Sequence, residues 1–371
     1  MTKTRSIPIA HPTFRGNEKK YVQECLDTSW VSSIGRFIPL FESSFAEFCD
    51  VQHAAACNSG TSALHLALLA VGVGPEDEVI IPSLTYVATA NAVRYCGGRA
   101  VFVDSEPRTM NIDPGKIEAK ITARTKAIVV VHLYGHPVDM ESVLEVARIH
   151  GLPVVEDAAE AHGALHRGKK VGGIGDIATF SFYGNKLITT GEGGMVTTND
   201  QDLDRKVRLL RGQGMDPQRR YWFPIVGYNY RMTNIAAAIG LAQMENIDEH
   251  LESHRIIARS YHTRLVHLEN FISLPTQEKW ATHAHWAYTI VLKDTMRMDR
   301  DTFMTKLAES GVETRPTFYP IHLLPPYYEP GSNYPVAERL GAHGVSLPIH
   351  GLITEEDIEY IVERIDRLCR L

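Results

Sequence analysis

Seven short apolar segments, separated by helical patterns, constrain the fold of this 371-residue chain more than any other feature. Most are continuous runs of Val, Ile, Phe and Ala, which are typical of strands buried on both faces of a parallel sheet. The segments are 53–57, 78–82, 100–104, 127–133, 153–157, 177–183 and 194–198. Helical patterns lie between many of them, at 61–72, 84–97 and 139–151. This alternation predicts an α/β fold with helices on both faces of a mostly parallel sheet.

Helices predominate after about residue 200. Amphipathic patterns predict helices at 201–211 and 233–270, the second with Thr233 as a candidate N-cap. Further predicted elements are a strand at 285–293, a helix at 300–311 and a terminal helix at 354–368 with Thr354 as its cap. At about 150 residues per domain, we predict a large domain of residues 1–250 and a smaller C-terminal α+β domain of residues 251–371.

The composition excludes several classes of protein. Apolar residues make up 44% and charged residues 22%, as in soluble globular chains rather than disordered or fibrous ones. The formal charge of −6 gives no excess of positive charge for binding the phosphates of nucleic acid, so no such partner is expected. No apolar run approaches the ~20 residues that span a bilayer, and the polar residues 1–14 do not resemble a signal peptide. Five scattered cysteines favour a reducing, cytoplasmic location.

Lys186 follows a predicted strand and precedes the Gly-rich segment 190–194. An unpaired ammonium is costly at the mouth of a buried sheet. The lysine is therefore either a loop residue that faces solvent or a functional group in a partly desolvated pocket. In such a pocket, lysine is the nucleophile that forms a Schiff base with an aldehyde. The position of Lys186 alone leaves both interpretations open.

Asp157 lies at the carboxyl end of another hydrophobic strand, where open α/β sheets bind ligands. A carboxylate there can keep the ring nitrogen of pyridoxal phosphate protonated, which makes the ring an electron sink. Asp157 is equally consistent with an N-cap for a helix that begins at Ala158.

A small polar turn, Ser59-Gly60-Thr61, follows the first predicted strand and opens a helix. Backbone N–H groups at such a helix start favour a phosphate, although Ser and Thr caps are common. The glycine patterns of nucleoside triphosphate and dinucleotide sites are absent from this turn. Tyr86, after the second strand, is a candidate for stacking on a cofactor ring or for core packing.

Together these residues form one constellation, namely a phosphate cup, a stacking aromatic, an acid for a ring nitrogen and a Schiff-base lysine. In this order they resemble a fold-type-I pyridoxal-phosphate enzyme. The chain resembles the DegT/DnrJ/EryC1/StrS family of sugar aminotransferases over nearly its whole length. The similar segments are 27–48, 57–68, 78–93, 131–140, 154–164, 180–195, 226–243 and 313–327.

The resemblance implies a mostly parallel seven-stranded sheet and assigns Lys186 and Asp157 as catalytic residues that also bind pyridoxal 5′-phosphate. Because related sugar 3-dehydratases carry His in place of Lys186, the lysine indicates transamination. Glu160 takes the place near the phenolic oxygen where relatives often carry Gln or His, and Asn229 matches a residue that reaches the phosphate across a dimer interface. The other implied cofactor-binding residues are Ser59, Gly60, Thr61, Tyr86 and Ser181.

Segments 7–14, 212–234 and 317–327 resemble the branch of the family that aminates GDP-4-keto-6-deoxy-D-mannose. This implies L-glutamate as the donor, GDP-perosamine as the product and a role in O-antigen and lipopolysaccharide synthesis. The basic and aromatic cluster at 219–222 suits a diphosphate and a base or sugar face, or equally a solvated loop that packs a dimer. The implied substrate-binding residues are Arg219, Arg220, Tyr221, Trp222, Arg315, Tyr319 and His322.

The residues leave several alternatives open. Arg315 is equally consistent with a structural ion pair, and a lone histidine such as His322 is more often structural. A UDP- or dTDP-linked keto sugar would fit the same reaction, and a non-catalytic cofactor-binding regulator is a further reading. We expect no metal, because the other histidines lack ligand spacing. Asn229 and the small residues of 235–242 predict at least a homodimer with composite sites.

Overall fold

The computed structural model describes residues 5–371 and contains fourteen strands in three sheets. In chain order the strands are β1 (His53–Cys57), β2 (Glu78–Pro82), β3 (Arg99–Val103), β4 (Thr125–Val131), β5 (Val154–Asp157), β6 (Leu165–His166), β7 (Lys169–Lys170), β8 (Ile177–Ser181), β9 (Gly194–Thr198), β10 (Ile272–Ser273), β11 (Ala281–Thr282), β12 (Tyr288–Leu292), β13 (Arg315–Pro316) and β14 (Gly344–Leu347).

Eleven α-helices surround these sheets. They are α1 (Glu18–Asp27), α2 (Phe37–Phe48), α3 (Gly60–Ala70), α4 (Ala88–Tyr95), α5 (Met140–His150), α6 (Gln201–Arg211), α7 (Asn234–Met244), α8 (Ile247–Leu265), α9 (Arg300–Glu309), α10 (Pro335–His343) and α11 (Glu355–Cys369). Short 3₁₀ helices span Pro114–Lys116, Glu118–Lys120, Leu133–Gly135, Val266–Leu268, Ile321–Leu323 and Pro325–Tyr327. Within residues 5–371, no helix has the length and apolar character needed to span a membrane.

The main sheet has seven strands in the order β1-β9-β8-β5-β4-β2-β3. Strands β3, β2, β4, β5 and β8 are parallel, whereas β9 runs antiparallel to both of its neighbours. The predicted mostly parallel seven-stranded sheet is therefore confirmed, with strand ends that differ from prediction by at most two residues. Every residue of β2, β5, β8 and β9 is buried, as continuous apolar runs predict.

The sheet topology places several strand ends together. Because β1 and β8 both run antiparallel to β9, β1 points in the same direction as the parallel strands. The residues that follow β1, β2, β4, β5 and β8 therefore emerge at one edge of the sheet. In open α/β sheets this edge is where ligands bind.

Two helix predictions need correction. The single helix predicted over 233–270 is wrong, because α7 ends at Met244 and α8 begins at Ile247. Asn246 interrupts it with φ −123°, and its side-chain amide donates to the carbonyl of Ala242 at 3.3 Å, a local bond that competes with helix geometry. No helix begins at Ala158, where the chain instead forms turns. The predicted caps at Thr233 and Thr354 are confirmed.

A second sheet of order β10-β12-β14-β13 lies in the C-terminal part of the chain. Its core includes Ile290, Phe303 and Ile361, all fully buried. Ile7 belongs to the same core, and its N–H donates to the carbonyl of Gly311 at 2.8 Å. The division of the chain at residue 250 stays a prediction.

Candidate active site

A cavity of about 460 Å³ opens at the carboxyl edge of the main sheet. Its lining includes Val131, Asp157 and Ser181, which are the last residues of β4, β5 and β8. Nine of the residues singled out from the sequence contribute to the lining, although they come from distant parts of the chain. They are Ser59, Gly60, Thr61, Tyr86, Asp157, Glu160, Ser181, Lys186 and Arg315.

One end of the cavity is the start of helix α3. Ser59 caps this helix in an extended conformation, and its hydroxyl accepts the N–H of Ser62 at 3.1 Å. The first N–H groups of a helix have no intrahelical partner, so Gly60 and Thr61 present donors to an anion. Gly60 lies so close to Ser181 that a Cβ on it would meet the serine Cβ at 2.7 Å. Only glycine lets the helix start and the Ser181 hydroxyl converge on one phosphate-sized region.

Asp157 is 4% exposed and lies at the end of β5. Its Oδ2 accepts the hydroxyl hydrogen of Thr89 at 2.8 Å, and its Oδ1 accepts the N–H of Ala159 at 3.2 Å. Burial raises the pKa of Asp157, whereas these hydrogen bonds and the charge of Lys186 oppose that rise. A buried carboxylate in this setting favours a cationic partner, such as the protonated nitrogen of a pyridine ring.

Lys186 reaches the same cavity from the segment between β8 and β9. Its Nζ lies 3.7 Å from Glu160 Oε1 and 4.1 Å from the ring centroid of Trp286. Burial lowers the pKa of the Lys186 amine, against the opposing charges of Glu160 and Asp157. A lowered amine pKa increases the neutral fraction, which is the nucleophilic and proton-accepting form.

Glu160 lies between Lys186 and Tyr134. Its Oε2 accepts the backbone N–H of Tyr134 at 2.9 Å. Burial raises the pKa of Glu160 to about 7, in opposition to the charge of Lys186. The carboxyl group therefore gains and loses a proton near neutral pH, and in its protonated form it can donate to a phenolic oxygen as a glutamine amide would.

An aromatic wall closes one side of the cavity. The rings of Tyr86, Phe318, Tyr134 and Trp286 follow one another with centroid separations of 5.5, 5.5 and 6.2 Å. Of this wall, only Tyr86 was predicted from the sequence, because Trp286 lies in a predicted strand and Tyr134 directly follows one. The remaining cavity residues that it missed include Thr85, Tyr183, Asn185, Glu192 and Phe318.

The cavity lining of this chain does not include the 219–222 cluster, Asn229 or Tyr319. Arg219 lies 4.1 Å from the Trp222 ring and Arg220 4.9 Å from the Tyr221 ring, and all four side chains are exposed. Asn229 is also exposed, and its carbonyl accepts the side-chain amide of Asn58 at 3.4 Å. The assigned roles of these residues stay predictions.

His322 is buried away from the cavity lining. Its Nδ1 lies 2.6 Å from the hydroxyl of Ser83, and its Nε2 lies 3.2 Å from Glu338 Oε1. Both ring nitrogens therefore have partners that join the segment after β2 to helix α10. This geometry favours the structural role that the sequence left open over the predicted contact with substrate.

The residues at this cavity fit pyridoxal phosphate. Its phosphate matches the α3 start beside Ser181, its ring nitrogen matches the buried carboxylate of Asp157, and its aldehyde matches Lys186. Ser181 can approach the α3 start only because Gly60 has no side chain. This close approach supports the placement of the phosphate there without any argument from charge.

Comparisons with known proteins agree with this geometry. The DegT/DnrJ/EryC1/StrS aminotransferase family matches residues 12–366. GDP-perosamine synthase of Caulobacter vibrioides is 55% identical over 99% of this chain and 100% of its own, and that of Escherichia coli O157:H7 is 47% identical over 97% and 98%.

Among solved structures, DesI in the presence of its TDP-sugar product superposes with a TM-score of 0.92. It is 33% identical in sequence, and the match covers 98% of this chain and 93% of that one. The chain therefore belongs to the DegT/DnrJ/EryC1/StrS aminotransferase family and is a pyridoxal-phosphate-dependent sugar aminotransferase.

Proposed function

We propose that this enzyme transfers the amino group of L-glutamate to C4 of GDP-4-keto-6-deoxy-D-mannose. The products are GDP-perosamine and 2-oxoglutarate. The observation that carries the proposal is the near full-length identity of 55% and 47% to two proteins named GDP-perosamine synthase. We place the reaction in the cytoplasm, in keeping with five buried cysteines that form no disulfide.

We assign each side chain of the cavity a separate role in the reaction. When bound, pyridoxal phosphate supplies an electron sink for the carbon that gains or loses the amine. Asp157 would keep a proton on the ring nitrogen, and the α3 start with Ser181 would hold the phosphate. Lys186 would anchor the cofactor, and its free Nζ would move the proton at the α-carbon of glutamate. We assign Tyr86 to the ring face and Glu160 to the phenolic oxygen.

Both substrates are anions, and one site must accept them in alternate half-reactions. Arg315 lies on the cavity wall and can meet a carboxylate or a phosphate. We assign the diphosphate and the nucleotide to the 219–222 cluster, whose two guanidinium groups each lie over an aromatic ring. Tyr319 is exposed and directly follows Phe318 of the cavity lining, and we assign it as a candidate sugar contact.

Replacing both Arg219 and Arg220 with Gln is expected to raise the KM for the nucleotide sugar more than the KM for glutamate. A diphosphate carries more charge for the pair to meet than a carboxylate does, so we expect roughly a tenfold rise for the sugar. Steady-state kinetics with each substrate varied in turn measure both constants. Arg205→Gln with Arg259→Gln is the matched control, because both arginines are exposed. An equal or larger effect on glutamate would contradict the assignment.

We propose that the enzyme is at least a homodimer with shared active sites. The segment 221–226 exposes several large apolar side chains, including Tyr221 at 72% and Val226 at 88%, a pattern that favours burial against a second copy. Asn229 follows this segment and lies outside the cavity lining of its own chain. This position is what a residue that completes the site of a partner requires.

Mixing Lys186→Ala with Asn229→Asp protein is expected to restore activity. If the sites are shared, a mixed dimer holds one site with both lesions and one site with neither. Recovery should approach one quarter of wild-type activity per total protein after random exchange of equal amounts. The measurement is turnover against time after mixing, with each variant alone as the control. No recovery despite demonstrated subunit exchange would mean that each site is built within one chain.

A UDP- or dTDP-linked keto sugar is the second candidate substrate, favoured by the similarity to DesI, whose structure is described with a TDP-sugar product. A panel of GDP-, UDP- and dTDP-keto sugars with L-glutamate separates the candidates through their kcat/KM values. We expect the GDP sugar to give the highest value. A higher value for another nucleotide would overturn the choice of GDP, and no turnover with any sugar would favour the regulatory alternative.

A further inference from the structure

Trp286 contacts the reactive lysine although it lies a hundred positions further along the chain. The Nζ of Lys186 lies 4.1 Å from the centroid of the indole ring. This is well within the ~6 Å over which an ammonium is attracted to an aromatic face. The indole also lines the cavity, where it is partly buried.

The indole ring is held in place by contacts that do not involve the lysine side chain. Its Nε1–H donates to the backbone carbonyl of Asn185 at 2.8 Å. Its face stacks on Tyr134 with an interplanar angle of 13°. Tyr134 is itself fixed, because its N–H donates to Glu160 and its hydroxyl accepts the N–H of Phe318 at 3.1 Å. The indole face is therefore preorganised for contact with the ammonium.

Charged groups also surround the amine of Lys186. Glu160 Oε1 is 3.7 Å away, longer than an ordinary hydrogen bond. The charges of Glu160 and Asp157 favour the ammonium, whereas that of Arg315 opposes it. The buried imidazole of His162 is neutral, since burial lowers its pKa to about 3. Beside the Glu160 ion pair at 3.7 Å, the indole face at 4.1 Å is a second favourable contact for the ammonium.

We propose that Trp286 is a positioning residue that holds the ammonium of Lys186 against its ring whenever the lysine is not bonded to the cofactor. This inference rests on the role assigned to Lys186 under the proposed function. Between proton transfers the released side chain must stay close to the cavity rather than rotate towards solvent. Contact with the indole keeps it near the Glu160 carboxyl, and the contact weakens when the amine becomes neutral and nucleophilic.

Fluorinated tryptophans test the contact directly in the apoprotein. Each added fluorine withdraws density from the ring face and weakens cation attraction with little change in shape. The chain has four tryptophans, and biosynthetic incorporation replaces all of them. The pKa of Lys186 is then read from the pH dependence of its reaction with fluorodinitrobenzene, quantified on the Lys186 peptide by mass spectrometry. Only the neutral amine reacts, so the labelling rate reports the neutral fraction.

The expected result is a stepwise fall in the pKa of Lys186 from tryptophan to monofluoro-, difluoro- and trifluorotryptophan. Below the pKa, the labelling rate should rise about threefold to tenfold across the series. The matched control is Trp286→Phe, in which Trp30, Trp222 and Trp280 still become fluorinated. Labelling of this variant should not depend on fluorination. Trp286→Tyr replaces it if circular dichroism shows that the Phe variant does not fold.

An unchanged pKa across the series, or the same fall in the control variant, would overturn the inference. Neither result depends on the sugar or the amino donor, because the measurement uses no cofactor and no substrate. Failure of the proposed substrate would be seen only in the nucleotide-sugar panel. The two claims therefore fail in different experiments.

Discussion

Replacing Lys186 with Ala is expected to lower kcat/KM by at least about 10³-fold. On the proposed role, one amine both anchors the cofactor and moves protons, so its removal should affect each half-reaction. The exposed Lys169→Ala is the matched control and should retain wild-type activity. Steady-state kinetics with saturating pyridoxal phosphate measure the loss separately from any weakening of cofactor binding.

Borohydride reduction provides a second readout of the same residue. In the wild-type protein, it should fix the cofactor covalently on the peptide that contains Lys186. In Lys186→Ala, no peptide should carry the cofactor after reduction. A reduced adduct on another lysine of the variant, accompanied by substantial turnover, would show that Lys186 is a loop lysine rather than the anchor.

Asp157→Asn is expected to lower kcat by about 10²- to 10³-fold while preserving the fold. The amide can still accept the Thr89 hydroxyl, so local packing should survive. It cannot keep a ring nitrogen protonated, so stabilisation of negative charge on the reacting carbon is lost. The measurements are kcat for the complete reaction, the rate constant of each half-reaction in a single turnover, and the thermal midpoint of unfolding.

The half-buried N-cap Asp113 supplies a control for the alternative role of Asp157. Its side chain accepts the N–H of Gly115 at 3.0 Å and lies outside the cavity lining. Asp113→Asn should affect stability only slightly and leave kcat unchanged. Equal and small effects of the two substitutions on kcat would mean that Asp157 is only a structural hydrogen-bond acceptor for Thr89 and Ala159.

The main sheet could be predicted from the sequence because burial on both faces demands continuous apolar runs. Runs such as 78–82 and 194–198 match their strands residue for residue. Helices α1 and α2 were not predicted, although Phe37, Phe41 and Phe45 form a buried i, i+4 stripe on α2. The break at Asn246 could not be seen in apolar periodicity, because it depends on a side-chain bond to the backbone.

The predictable part of the site consists of residues that directly follow strands. Asp157 and Ser181 end β5 and β8, so parallel topology alone brings them to one edge. Trp286 and Phe318 reach the cavity from the C-terminal part of the chain. No pattern in the sequence around either residue indicates that it lies near the ends of the main-sheet strands. His322 shows the opposite case. It lies within a segment similar to the family, but both of its ring nitrogens contact Ser83 and Glu338 rather than the cavity.

Transfer of ¹⁵N from labelled L-glutamate to the nucleotide sugar tests the central claim most directly. The purified enzyme is incubated with GDP-4-keto-6-deoxy-D-mannose, ¹⁵N-glutamate and unlabelled ammonium, and the sugar product is analysed by mass spectrometry. The account predicts an aminated GDP-sugar that carries ¹⁵N, formed in equal amount to 2-oxoglutarate, and no product with Lys186→Ala. An unlabelled amine, or 2-oxoglutarate formed over many turnovers without aminated sugar, would contradict it.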